Sequence, residues 1–260
     1  MKNERFNWKG AFATALLLTA TAVSSAQAET VGVSGDRFNL NVINNFYNGL
    51  PGVSSSILPG QLDSHNLSGL NLLLAVQPAN DYTPGETATM QSYLASGGRI
   101  AFMGEHGSFA PNENNRITAE IALLGGHITI TNDVIDGGFH DATVGNGQIL
   151  NHPLTQGVNT YNYAAFAPLN ISGPAQTLML GINLTSVMMG YENIGAGSIF
   201  LITDQNVWDN VNQPTNNNAR MFENLLRGNT VNPNTVPEPA TGILLLTGTA
   251  ALVAWRRFRS

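Results

Sequence analysis

The chain has no cysteine in any of its 260 residues. That excludes disulfides, thiolate metal sites and cysteine nucleophiles together, so stability has to come from packing. Charge is scarce as well: 11% of residues are charged, against roughly 25% in ordinary soluble domains. Lysine is confined to Lys2 and Lys9, and the other basic residues of the ends are Arg5, Arg256, Arg257 and Arg259. Setting those six aside leaves 5 of 11 basic residues; setting Glu4 and Glu238 aside leaves 15 of 17 acidic ones, a balance of −10 for the middle. A body of that charge repels phosphate backbones and anionic lipid surfaces, which argues against nucleic acid as a partner. Its polarity comes from Asn, Thr, Ser and Gly, a composition unlike that of charge-rich disordered chains.

The two ends read as addresses. A basic start (Lys2, Arg5, Lys9) precedes an apolar run from Ala11 to Val23, and Ala26 and Ala28 supply the small residues of an A-x-A cleavage site. This predicts a signal peptide over 1–28, cut after Ala28, with the secretion machinery as partner. At the other end, Asn229–Thr235 is a polar linker, Pro237-Glu238-Pro239 is an extended stop, and 240–255 is apolar. At about 1.5 Å per residue that run gives a helix of roughly 24 Å, close to a hydrocarbon core of about 30 Å. Arg256 and Arg257 then form a cytoplasmic stop. The order Pro-Glu-Pro, short membrane helix, basic cluster over 236–260 resembles the PEP-CTERM sorting signal of Gram-negative exported proteins. The resemblance implies an exosortase-type membrane enzyme as partner and tethering through the C-terminal helix before processing. Release to the cell surface or exterior would follow, with exopolysaccharide a further candidate partner.

Between the addresses, 29–228 alternates short apolar runs with helical spacing. Thr83-Pro84-Gly85-Glu86 carries a capping Thr, a first-turn Pro and the Glu of a capping box, and Gly97-Gly98 ends the helix that follows. With the apolar run Leu70–Val76 before it and Arg99–Met103 after it, this predicts a right-handed βαβ unit with parallel strands. Ile117, Ile121 and Leu124 mark another helix; Ser198–Thr203 reads as a strand, and Ala219, Phe222, Leu225 and Leu226 line a last helix. From about 133 to 190 the texture turns to Gly, Asn and Pro with short β-like pieces, which predicts a β-rich antiparallel excursion or insertion.

The stretches DYTPGETATMQSYLASGGRIAFMGE, GSIFLITDQNVWDN and NNARMFENLLRG resemble class I glutamine amidotransferase-like domains. The resemblance implies an α/β fold with a three-layer, flavodoxin-like parallel sheet. In the enzymes of that family a Cys follows the strand corresponding to Arg99–Met103. Here the turn reads Gly104-Glu105-His106-Gly107, so amidotransferase chemistry does not carry over.

In open parallel sheets ligands bind beyond the carboxyl ends of the strands. That edge offers Ser34, Asp36, Gln77 and Asn206 as binding candidates, and Glu105, His106 and Asp204 as acid, base or ligating candidates. The competing explanation is that such residues cap helices and satisfy loop amides, with Asp36 and Asp204 standing where caps belong. Asp133, Asp136 and Asp141, with His140 between them, could serve calcium from a Gly-containing loop, although their spacing is not that of an EF-hand. His127 and His152 look isolated, and Ser108 is not in a G-x-S-x-G elbow. No cofactor is expected. The sequence therefore favours an exported, non-catalytic surface or matrix module binding saccharide or protein. A hydrolase or metal-dependent enzyme built on Glu105, His106 and Asp204, and a calcium-stabilised adhesin, are the alternatives.

Overall fold

The computed structural model describes residues 28–228. The signal-peptide positions up to Gln27, with Ala26, the linker and the whole PEP-CTERM-like tail with its apolar segment lie outside the described residues. Among the described residues no helix is long and apolar enough to cross a membrane.

Eleven strands and four helices make up the domain. In chain order they are β1 (Glu29–Gly35), α1 (Leu40–Asn48), β2 (Val53–Ile57), β3 (Leu72–Val76), α2 (Pro84–Ala95), β4 (Arg99–Met103), α3 (Pro111–Leu123) and β5 (Ile128–Ile130). There follow β6 (His140–Thr143), β7 (Thr160–Tyr163), β8 (Leu169–Ile171), β9 (Gln176–Leu180), β10 (Val187–Ile194), β11 (Gly197–Ile202) and α4 (Asn218–Arg227). β1 starts on the residue after Ala28, so cleavage at the predicted point would leave the sheet whole.

The main sheet runs β2-β1-β3-β4-β11-β10-β8-β5, with β9 paired to β10. The first five strands of that path are parallel to one another. With β11 as fifth strand, their order is the flavodoxin-like 2-1-3-4-5, whose direction of growth reverses between β1 and β3. β3 and β4 are buried at every position, which is why they read as unbroken apolar runs. The predicted βαβ unit is present with its cap: Thr83 Oγ1 accepts from Glu86 N at 3.2 Å, and Glu86 Oε2 accepts from Thr83 N at 2.9 Å.

Each face of the sheet is covered. Ile43, Phe46 and Tyr47 of α1 share one core with Phe222, Leu225 and Leu226 of α4, and there the Trp208 and Phe222 rings stack at 3.9 Å. Met90, Tyr93 and Leu94 of α2 join Ile117 and Ile121 of α3 in the other core. The three layers are as expected, but the excursion is not a single inserted unit. Only β6 and β7 pair apart from the main sheet, while β8, β9 and β10 extend it with antiparallel strands. The reason lies at β10: Gly195 (φ +59°) and Ala196 close a two-residue turn that folds β10 back along β11. The sheet is accordingly mixed rather than purely parallel.

Candidate functional site

The carboxyl ends of the parallel strands gather two sets of polar residues. The first lies after β4 and β11. Gly104 comes so close to Asn114 that an added Cβ would meet its Oδ1 at 2.4 Å, and buried Asn114 clamps the turn. Its Oδ1 accepts from Glu105 N (3.0 Å) while its Nδ2 donates to the Glu105 carbonyl (2.6 Å) and to Asn132 Oδ1 (2.8 Å). His106 N donates to Glu105 Oε1 (2.8 Å) and Gly107 N to the Asp133 carbonyl (3.1 Å). The second Glu105 oxygen accepts from Gln205 N at 3.0 Å. Asp204 is wholly buried and divides its oxygens between Ala164 N (2.6 Å) and Asn206 N (2.8 Å), capping the 3₁₀ turn Gln205–Trp208.

Electrostatics follow from this burial. Desolvation raises the Glu105 carboxyl to about 7, against the opposing pull of the His106 and Gln205 N–H groups. Burial raises Asp204 to about 8, with the Glu105 charge adding to the rise. Burial also lowers His106.

Glu105 and His106 are neighbours, with 3.9 Å between Glu105 Oε1 and His106 Nε2, a separation too long for a hydrogen bond. The other ring nitrogen of His106 faces Ser108 Oγ at 3.0 Å. Asp204 spends both oxygens on main-chain amides, so the three residues share a region but form no hydrogen-bonded relay. Catalysis at a strand-to-helix turn draws on main-chain N–H groups free to receive a developing negative charge. Those of Glu105, His106 and Gly107 are all engaged within the protein.

The second set lies at the reversal point between β1 and β3. Gly35 (φ +155°) lets the two strand ends close up: a Cβ there would stand 2.1 Å from the Val76 carbonyl oxygen. Gln77 follows β3 at φ +38° and is fully buried, its Nε2 donating to Gln205 Oε1 at 2.8 Å. The chain then passes Pro78, Asn80 and Tyr82 on its way to the α2 cap. Together with Ser34, Asp36 and Gln61, these residues rim a cavity of about 330 Å³. Asp36 is not a helix cap, as its position had suggested. Its Oδ2 accepts from Ala79 N at 2.8 Å, tying β1 to the loop after β3, while α1 is capped by Asn39.

Of the expected binding residues, Ser34 and Asp36 line the cavity, Gln77 is not part of its lining and bonds Gln205 instead, and Asn206 turns away to Asp209 (2.9 Å). Sequence reasoning passed over Gln61, Asn80 and Tyr82; the signal for them was the β1/β3 reversal itself, which needs the strand order. Asp136 and Asp141 do not converge: Asp136 accepts from Tyr163 Oη and Ile182 N, both at 2.8 Å, and Asp141 accepts from Asn162 Nδ2 at 2.8 Å. Among the described residues no group of three or more His, Asp or Glu stands close enough to hold a metal ion. His127 is not isolated, since Glu192 accepts from its main-chain N (2.6 Å) and faces its Nδ1 (2.5 Å). His152 caps the turn Pro153–Thr155.

Residues 235–259 match the PEP-CTERM protein-sorting motif. The motif supports an exported, cell-surface protein processed by an exosortase-type membrane enzyme. No curated protein matches the chain in sequence. In structure, the described domain is similar to the mmIFT52 N-terminal domain, with TM-score 0.59 and 18% identity over 78% of this chain and 100% of that one. A GMP synthase-like protein from Thermoplasma acidophilum gives TM-score 0.50 and 13% identity, covering 77% of this chain and 93% of its own. A ThuA-like protein from Bacteroides uniformis gives TM-score 0.50 and 11% identity, covering 80% and 94%. These likenesses show an amidotransferase-like fold and nothing of the chemistry.

Proposed function

We propose that the domain is a non-catalytic binding module, exported and displayed at the cell surface, that engages a saccharide or protein of the extracellular matrix. One observation carries the non-catalytic half. At the turn where the fold's enzymes keep a nucleophile, Glu105, its amide and the two following amides are consumed by internal hydrogen bonds. The hydrolase alternative would need the Glu105 carboxyl free to exchange protons with a substrate, and its bonds to His106 N and Gln205 N oppose that. The PEP-CTERM motif supports the display half.

Two measurements test the proposal. The full chain, incubated with chromogenic ester and glycoside substrates, should show no turnover beyond that of Glu105→Gln or His106→Ala. Activity abolished by either change would refute it. In a host that carries an exosortase, Pro237→Ala with Pro239→Ala should leave the chain unprocessed in the membrane fraction, whereas unaltered processing would remove the basis for display.

A further inference from the structure

We propose that the cavity between the carboxyl ends of β1 and β3 is the ligand site of this module, and that it takes a small, hydroxyl-rich ligand without negative charge, of about one sugar ring. The inference rests on the binding-module proposal, and the chemistry of the walls narrows the ligand. At about 330 Å³ the space lies at the low end of ligand pockets, which run from roughly 300 to 1,000 Å³. Its location is the reversal point where open α/β sheets leave a crevice.

Anions are disfavoured on two counts. Asp36, Asp81 and Glu86 all line the cavity. The N-terminus of α2, which would otherwise attract a phosphate or carboxylate, is already occupied from within. Glu86 Oε2 accepts from Thr83 N and Thr83 Oγ1 (2.9 and 3.0 Å), and Glu86 Oε1 accepts from Leu62 N at 3.0 Å. For a cation the acidic field is only partly spent. Arg116 donates to Asp81 Oδ1 and to the Pro78 carbonyl, both at 3.2 Å, which places a guanidinium against the rim and spends part of the acidic field. An apolar ligand finds only Pro78 and the Tyr82 ring among side chains that otherwise carry hydroxyl, amide or carboxylate groups.

What remains matches hydroxyl groups, each of which donates and accepts. Ser34 and Tyr82 offer both roles, Gln61 and Asn80 offer amide donors and acceptors, and Asp36 has Oδ1 beyond the oxygen that holds Ala79 N. The Tyr82 ring is partly buried and packs edge-on against Phe102 at 6.4 Å, which fixes its place in the wall.

The test compares one ring in three charge states. The full chain in a zwitterionic, sugar-free detergent is titrated with methyl glucoside, glucose 6-phosphate and glucosamine, read by saturation-transfer NMR. Transfer to methyl glucoside should exceed that to glucose 6-phosphate at least about fivefold, while glucosamine reports how much of the acidic field is left. Asp36→Asn, whose Oδ1 keeps the Ala79 contact, and Asn80→Ala should each weaken it by about tenfold, the loss of a hydrogen bond or two. No transfer to methyl glucoside at about 20 mM, or equal transfer to the phosphate, overturns the ligand class. Binding that neither variant changes overturns the site but leaves the module standing, whereas turnover sensitive to Glu105→Gln overturns the module itself.

Discussion

Glu105 and Asp204 are carboxyl groups that the fold keeps protonated further up the pH scale than water would, to about 7 and about 8. A group whose folded pKa is raised binds its proton more tightly when folded. Its contribution to stability is therefore complete below the unfolded value, near 4, and is lost as pH climbs through the folded one. The domain should melt higher at pH 5 than at pH 8.5. Asp204→Asn should cost about 1 kcal/mol at pH 5, where one of two accepted N–H bonds is lost, and flatten the decline. Melting curves across that range check both; a midpoint rising with pH would contradict the assignment. Asn114 offers a second case. It is fully buried and holds both main-chain groups of Glu105. Asn114→Ala leaves a donor and an acceptor without partners, so chemical denaturation should show a loss of about 3 kcal/mol.

Among the elements, α2 shows how local chemistry can be separated from tertiary anchoring. Thr83→Ala removes one capping oxygen and should cost about 1 kcal/mol. Glu86→Ala removes the reciprocal bond and also frees Leu62 N, which belongs to the turn Leu62–Ser64 on the other side of the cavity. It should cost roughly twice as much, and urea unfolding of the two variants gives the comparison. This capped βαβ unit was legible in the sequence because every signal in it is local: the Thr-Pro-Gly-Glu cap, the Gly97-Gly98 stop and two strands buried on both sides. β10 was not legible. Its buried residues Met188, Met189, Tyr191 and Glu192 show no alternation, since both faces are covered, and a buried Glu192 reads as exposed until His127 is found beside it. The cavity was half legible: Ser34 and Asp36 stand at the end of a recognisable strand, but Gln61, Asn80 and Tyr82 gain meaning only from the order β2-β1-β3.

At the scale of the whole molecule, both ends of the domain leave from one pole. Arg227 donates to Glu29 Oε2 (2.6 Å) and to the Pro51 carbonyl (2.7 Å), which joins the end of α4 to the start of β1. Buried Arg99, at the amino end of β4, donates to the Leu225 carbonyl and to that of Gly228 (2.9 Å). The cavity opens at the opposite ends of the strands, about 20 Å away by the length of β1 at roughly 3.3 Å per residue. A chain tethered through the segment after Gly228 would therefore present its cavity away from the point of attachment. The same contacts predict where the chain tolerates shortening, because tolerance follows the burial and hydrogen bonding of what is removed. Ending the mature chain at Gly228 keeps α4, the Trp208–Phe222 stack and both arginine ties, and its melting midpoint should stay within about 2 °C of the full chain. Ending it at Asn217 strips Met221, Phe222 and Leu225 from the core shared with Phe46 and Trp208. Removal of one such aromatic side chain costs about 3–5 kcal/mol, so loss of the whole helix exceeds the stability of an ordinary domain. Circular dichroism should show a cooperative transition for the first truncation and none for the second. A cooperative transition in the second would mean that α4 is not part of the folding unit.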